Sequence, residues 1–278
     1  MTTCIGAICE CGRTLILCSD QKVSYNDFAS DEALLKIRSI HKHWAIMCSA
    51  EDFTYFKPIL LRVREKITDR EAPLAFSNVQ DFVSQSIYEE FCKERDGLLG
   101  LYDMTIAEFK KEGRNIFGES IFAQKCEEIE RISLGGCELL VAGFDENGGG
   151  HIFTAQSPGK LKIHDDLGYW AIGSGQTRAL STLAFHRFNI WKSLEEGLYH
   201  VCEAKFMSED AEGVGEKTSF LSCRRSADGR TVDVNEIQKE DIEKIRGQWN
   251  GSGKPRVPTK VKVVIQSALK SAKRMIFG

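Results

Sequence analysis

The sequence predicts an α+β fold in which two mainly antiparallel sheets lie between helices grouped in pairs. Three observations lead there. The 278 residues order themselves as strands, two helices, strands, two helices, strands. Sheets and helices each have an apolar side that must be covered, and stacked sheets flanked by helix pairs cover them all. No internal repeat at a short fixed period points to a solenoid instead.

The elements follow in order. Residues 2–9 (TTCIGAIC) and 14–19 (TLILCS) are short apolar runs around a turn marked by Gly12, which reads as a β-hairpin. Residues 34–40 (LLKIRSI) and 43–49 (HWAIMCS) repeat the pattern around His41 and Lys42. Phe53, Phe56, Leu60, Val63 and Ile67 then recur at helical spacing, and EAP at 71–73 breaks that helix. Val79, Phe82, Val83, Ile87 and Phe91 give a second helical stripe, with Asn78 as its candidate cap. Residues 96–132 are mixed, charged and interrupted by glycines, and read as an insertion or an extension of the second helix, without a core of its own. Strand signals return at 137–144 (CELLVAGF), 151–156 (HIFTAQ), 161–164 (LKIH) and 168–174 (GYWAIGS). Helices are expected over about 176–190 and 194–207, a last hairpin over 218–223 and 232–237, and a charged helix near 238–248. One domain thus spans 1–248, and 249–278 reads as a linker to about 258 followed by a basic, weakly amphipathic tail. The tail is either a contact outside the domain or a frayed surface helix.

Composition narrows the function classes. A net charge of −3 argues against a nucleic-acid partner, which usually meets a basic face. No apolar run approaches the roughly 18 residues of a membrane span. The opening MTTCIGAICECG has neither a positive n-region nor a clean apolar h-region, so the expected location is the cytoplasm. Of the ten cysteines, Cys9 and Cys11 alone are closely spaced, with no second pair at zinc-site spacing. Most lie in apolar segments, where a thiol acts as a small hydrophobe. No metal or other cofactor is expected.

Chemistry is concentrated at the start of the chain. A threonine hydroxyl is a weak nucleophile that needs a base. A threonine with a free α-amine brings its own, titrating near pH 7.7–8.0 when unperturbed. Met1-Thr2 meets that condition once Met1 is removed, although Thr2 alone is equally well an ordinary first-strand residue. Lys36 lies in the apolar run LLKI, where an ammonium is costly unless paired. A lysine on a solvent-facing side of a strand is the alternative. Asp20 ends a run, where a turn-capping aspartate is common. Ser174 lies between two glycines before a helix, as an N-cap serine also does. The GSG there lacks the rest of a phosphate-binding loop.

Taken together, TTCIG at the start, SD at 19–20, LLKI at 34–37 and CSA at 48–50 resemble the proteasome β-subunit family and the peptidase subunit of the bacterial ATP-dependent proteasome-like protease. LLVAGFDE (139–146) and GSGQTRAL (173–180) resemble the second half of the same family. The resemblance covers about 2–70 and 136–223 and leaves out the insertion and the tail. It implies a four-layer αββα N-terminal-nucleophile hydrolase sandwich. It also implies site roles: Thr2 as nucleophile, Lys36 as the lysine that favours its deprotonation, and Asp20 as the partner of that lysine. Ala50 stands where a backbone N–H forms the oxyanion hole, and Ser174 where a serine holds the nucleophile's amine. Val23 and Cys48 stand at positions lining the first specificity pocket. For the family's aspartate–serine pair after the last long helix, Asp210 is the candidate.

This sequence departs from the family in two places. The family has two residues fewer between threonine and aspartate, which the turn ECGRT can absorb without changing the face of either strand, because strand period is two. Counting back without that insertion lands on Cys4, a second candidate nucleophile. The oxyanion position usually holds glycine and here holds Ala50. The implied function is a threonine hydrolase of peptide bonds that forms a homo-oligomeric ring and is fed by an ATP-dependent unfoldase. A small-molecule amidohydrolase of the same fold and a catalytically silent shell or binding subunit are the alternatives.

Overall fold

The structure, a computed structural model, describes residues 2–25, 28–30, 35–68, 72–226 and 231–253, with the side chains of 23–30 and 252–253 left aside. The expected tail at 260–278, and most of the expected linker, lie outside the described residues. Two five-stranded antiparallel sheets form the centre. The first joins β1 (Cys4–Cys9), β2 (Thr14–Asp20), β10 (Tyr169–Ile172), β11 (Thr218–Arg225) and β12 (Val232–Glu236), in the order β10-β1-β2-β11-β12. The second runs β5 (Ile37–His41), β6 (Trp44–Ser49), β7 (Glu138–Phe144), β8 (Gly150–Gln156) and β9 (Lys160–Ile163), in chain order. A small hairpin, β3 (Val23–Tyr25) and β4 (Phe28–Ser30), stands apart from both.

The continuous apolar runs have a direct cause, because strands covered on both faces need not alternate. Cys4 and Ile8 of β1 pack with Leu15 and Leu17 of β2, Met47 of β6, and Leu140, Ala142 and Phe144 of β7, in a core shared by the two sheets. Ile5, Ala7 and Cys9, on the other face of β1, join a second core. That core includes residues of α4 (Gln176–Phe185), α5 (Leu194–Ser208) and α6 (Lys239–Gln248). Leu139 and Val141 of β7 likewise face a third core, built with α1 (Phe56–Lys66) and α2 (Phe76–Leu99).

Four expectations are corrected. Pairing of β5 begins at Ile37 opposite Met47, so Lys36 precedes the strand instead of lying inside it. The helix expected to 190 stops at Phe185, because Arg187 takes a left-handed φ of 49° and the Phe188 N–H returns to the Leu183 carbonyl. That is a helix stop without the glycine that usually announces it. Residues 96–132 do carry a small apolar cluster: Leu99 of α2 packs with Ile106 and Phe109 of α3 (Ile106–Glu130). A capping box between Thr105 and Glu108 starts α3. The stretch read as a linker begins with one more helical turn, Trp249–Gly253, whose Trp249 packs on Phe206. Among the described residues, no helix is long and apolar enough to cross a membrane. All ten cysteines are free, seven of them buried, and Cys11 in the first turn is exposed.

Candidate active site

The β1–β2 hairpin sets the geometry. Cys4 pairs with Ser19 and Cys9 with Thr14, which leaves a four-residue turn at 10–13. Thr3 therefore lies opposite Asp20: the Asp20 N–H donates to the Thr3 carbonyl at 3.1 Å, and the Thr3 N–H donates to Asp20 Oδ1 at 2.8 Å. Two more backbone N–H groups, of Lys22 at 3.1 Å and Gly215 at 3.2 Å, donate to Asp20 Oδ2. A carboxylate held by three amides is fixed in place before any cation arrives.

Lys36 completes the cluster. Its Nζ donates to Asp20 Oδ1 at 2.9 Å and to the hydroxyl Oγ1 of Thr2. Thr2, Asp20 and Lys36 all have no exposed surface. Residues 34 apart in sequence thus meet through a side chain that leaves the chain just ahead of β5. The Phe53 ring, 5.9 Å from the ammonium, covers another side. An ammonium hydrogen-bonded to a hydroxyl oxygen favours the alkoxide over the alcohol.

Ser174 stands at the Thr2 nitrogen, which donates to its Oγ at 3.3 Å. The serine hydroxyl in turn reaches the Glu212 carbonyl at 3.1 Å and the Thr2 carbonyl at 3.4 Å. It is not the helix cap: Gly175 holds that position and Ser174 makes no capping bond. The flanking glycines have a steric reason. A Cβ at Gly173, where φ is 95°, would fall 2.2 Å from the Thr2 carbonyl oxygen, and one at Gly175 would fall 1.9 Å from Thr3 Oγ1. The GSG segment is the surface against which Thr2 and Thr3, just ahead of β1, lie. Ser174 itself is exposed, whereas Thr2, Asp20 and Lys36 behind it are not.

The other expected residues divide. Ala50 is buried directly after β6, beside Ser49, whose Oγ approaches the same Gly173 position at 3.0 Å. Cys48 is fully buried in the core under α1 and α2, its Sγ 3.6 Å from Cys137 Sγ. It belongs to that packing. The side chain of Val23 lies outside the described residues. Asp210 is placed elsewhere: its side chain is 83% exposed and its partner is Arg178, at 3.9 Å. The Glu212 carbonyl, two residues on, is what meets Ser174. Cys4 is fully buried, its Sγ 3.7 Å from the Cys48 carbonyl, and burial pushes its thiol far above the ordinary range.

Two further residues support the cluster and were not expected. The Gly215 carbonyl accepts a bond from Lys205 Nζ at 2.9 Å, while the Gly215 N–H holds Asp20. Lys205 on α5 also pairs with Glu209, which is gripped through both oxygens by Arg246 of α6. A lysine inside the apolar stretch VCEAKFM was the signal available in the sequence. Lys22 and Gly215 also line a cleft of about 670 Å3 with Asp210, Glu216 and Trp249, but Thr2, Ser174 and Ala50 do not. No protein-family model matches the chain, and no curated protein matches it. What the cluster can do is therefore read from its own geometry.

Proposed function

We propose that the chain is a threonine hydrolase of amide bonds, an N-terminal-nucleophile enzyme of the proteasome β-subunit type. One observation carries the reading: a single buried ammonium, Lys36, binds both the Thr2 hydroxyl and the Asp20 carboxylate. Two sheets sharing one core, with helices over both outer faces, support it as the four-layer αββα arrangement expected of such enzymes.

The chemistry follows from the groups present. It needs Thr2 to carry a free amine. That amine takes the proton of Thr2 Oγ1, while the Lys36 ammonium stabilises the oxygen as it attacks the amide carbon. Ser174 orients the amine, and Asp20 holds Lys36. A backbone N–H, for which Ala50 is the candidate, stabilises the oxyanion. The protonated amine then gives its proton to the leaving nitrogen, and water cleaves the resulting ester by the same route. The substrate class is a peptide or unfolded protein, and the assembly a homo-oligomeric ring in the cytoplasm served by an ATP-dependent unfoldase. Phe185 and Trp191, both largely exposed beside α4 and α5, support self-association.

A second reading, a silent shell subunit, is favoured by the complete burial of Thr2. Intact mass spectrometry with a β-lactone probe separates the two. The enzyme reading expects loss of Met1 and one probe adduct on Thr2, absent in Thr2→Ala. A retained Met1 with no adduct on a folded protein would leave the silent subunit standing.

A further inference from the structure

Outside the Thr2 cluster, one group of side chains has the composition of a metal site. His200 and Glu203 stand three residues apart on α5, on one face of the helix. His186 follows α4 directly, at the stop that the left-handed Arg187 enforces. One donor atom from each of the three residues can be chosen so that all lie within 4.8 Å of one another.

The details point to a cation site. Glu203 is only 7% exposed, and a buried carboxylate needs a strong partner. Its Oε1 receives a long bond from Trp249 Nε1 at 3.4 Å. Its Oε2 lies 2.8 Å from His186 Nε2, yet the pair lacks the alignment of a hydrogen bond. The Nδ1 of His200 is likewise buried without a hydrogen-bond partner. The two imidazoles are stacked, with centroids 4.4 Å apart. Glu203 Oε2 and His200 Nδ1, both without a hydrogen bond, thus belong with His186 to one cluster of possible ligands.

The structure assigns to His186, His200 and Glu203 a binding site for a zinc-class divalent ion, tying the end of α4 to α5. Two imidazoles and one carboxylate suit zinc, cobalt(II) and nickel(II), and are too few oxygens for calcium. Bonds of about 2.0–2.2 Å in a tetrahedron bring ligand atoms to roughly 3.4 Å from one another. Rotating the two rings is the movement this requires. Three protein ligands leave a fourth position for water. His186 and Glu203 also line a cleft of about 360 Å3 with Thr177, Ser181 and Phe185, into which that position can open. The site is independent of Thr2 chemistry.

Zinc and cobalt titrations of chelator-treated, full-length protein test the site. One equivalent of zinc should bind in competition with a chromophoric chelator and raise the melting temperature. Cobalt(II) should give the visible d–d absorption of a four- or five-coordinate nitrogen–oxygen site. Glu203→Gln keeps the shape of the buried side chain, and His186→Ala alters a half-buried one, so at least one folded variant is available. Each should weaken zinc by at least ~100-fold, the upper end of what losing even an outer-shell partner costs. His151→Gln, remote from the site, should bind as the wild type does, and so should Thr2→Ala. Absence of stoichiometric binding to the folded wild type overturns the site. So does equal binding by folded Glu203→Gln or His186→Ala.

Discussion

Among the described residues two lysines are fully buried, and they are used differently. Lys205 meets Glu209 at 2.5 Å and the carbonyls of Gly215 and Glu216 at 2.9 and 3.5 Å. An ammonium has three donors, and here all three go to groups that do not react. Lys36 meets one carboxylate and one hydroxyl. The first arrangement is a clamp, whereas the second places positive charge on an oxygen that can become a nucleophile. The two are joined through Gly215, whose carbonyl serves Lys205 and whose N–H serves Asp20. Burial alone does not mark a lysine as functional. What distinguishes them is whether an acceptor of the ammonium can itself change state.

The largest expected effect separates the pair. Lys36→Met should lower amide turnover by at least ~10³-fold, because members of one catalytic unit fail together. Its stability cost should stay below the ~3–5 kcal/mol of a buried pair with no other support, since Asp20 keeps three backbone donors. Lys205→Met should reverse the balance. It leaves the Gly215 and Glu216 carbonyls without their cation and should cost ~2–4 kcal/mol in denaturant unfolding. Turnover should fall only by about tenfold, roughly 1.4 kcal/mol, through a loosened Gly215. Equal loss of turnover in two folded variants would erase the distinction between clamp and site.

A smaller effect sharpens the comparison from a third buried base. His164 is stacked on Trp170 at 3.9 Å and shares a hydrogen bond with Thr154 Oγ1, with no carboxylate bonded to it. Burial lowers its pKa to about 4, with the charge of Asp165 opposing. Between the unfolded value near 6.5 and the folded value, the unfolded chain binds a proton that the folded chain does not. The stability it contributes is therefore complete above pH 6.5 and declines as pH falls toward 4. His164→Gln should flatten that part of the stability–pH profile, by on the order of a few kcal/mol at the acid end. His151 runs the other way. Burial lowers its pKa, but the bond and charge of Asp165 and the charge of Asp145 outweigh that and raise it. Its contribution is present below the unfolded value and lost as pH rises through the raised one.

How much of this was legible depends on which atoms carry it. The β1–β2 hairpin, α1 and α2 were readable because long apolar runs and 3.6-residue stripes are properties of side chains. Thr2, Asp20, Lys36 and Ser174 were named from the resemblance, which rests on side chains written in the sequence, and hydrogen bonds do join the four. The Gly215 amide and the Glu212 carbonyl were not, since any residue supplies those groups and only the path of the loop places them. Asp210 was chosen for its carboxylate, while the loop presents a carbonyl two residues later. The end of α4 was misplaced because Arg187 adopts a conformation that sequence ascribes to glycine or asparagine. His200 and Glu203 were legible as a three-residue spacing, but His186 joins them only through the packing of α4 on α5.

The smallest expected effect concerns Cys4. Thr2 and Cys4 are two residues apart at the start of the first hairpin, so strand parity in the sequence does not choose between them. Burial does. The thiol of Cys4 is enclosed in the core shared by the two sheets, beside Leu17, Met47 and Leu140. A cysteine nucleophile acts as its thiolate. Here burial raises the thiol pKa far above neutrality, and the charge of Lys36 only partly opposes this. Access also differs: the Thr2 nitrogen faces the exposed Ser174, whereas Cys4 Sγ faces the Cys48 carbonyl. Cys4→Ala should therefore change turnover by less than about twofold and stability by ~1 kcal/mol, the common cost of a small core deletion. Under the proposed hydrolase reading, iodoacetamide should leave turnover by the folded protein unchanged, even with the exposed Cys11 alkylated. Should Cys4→Ala abolish turnover while Thr2→Ala preserves it, the nucleophile is the thiol. Lys36 would then be a clamp like Lys205, and the contrast between them would disappear.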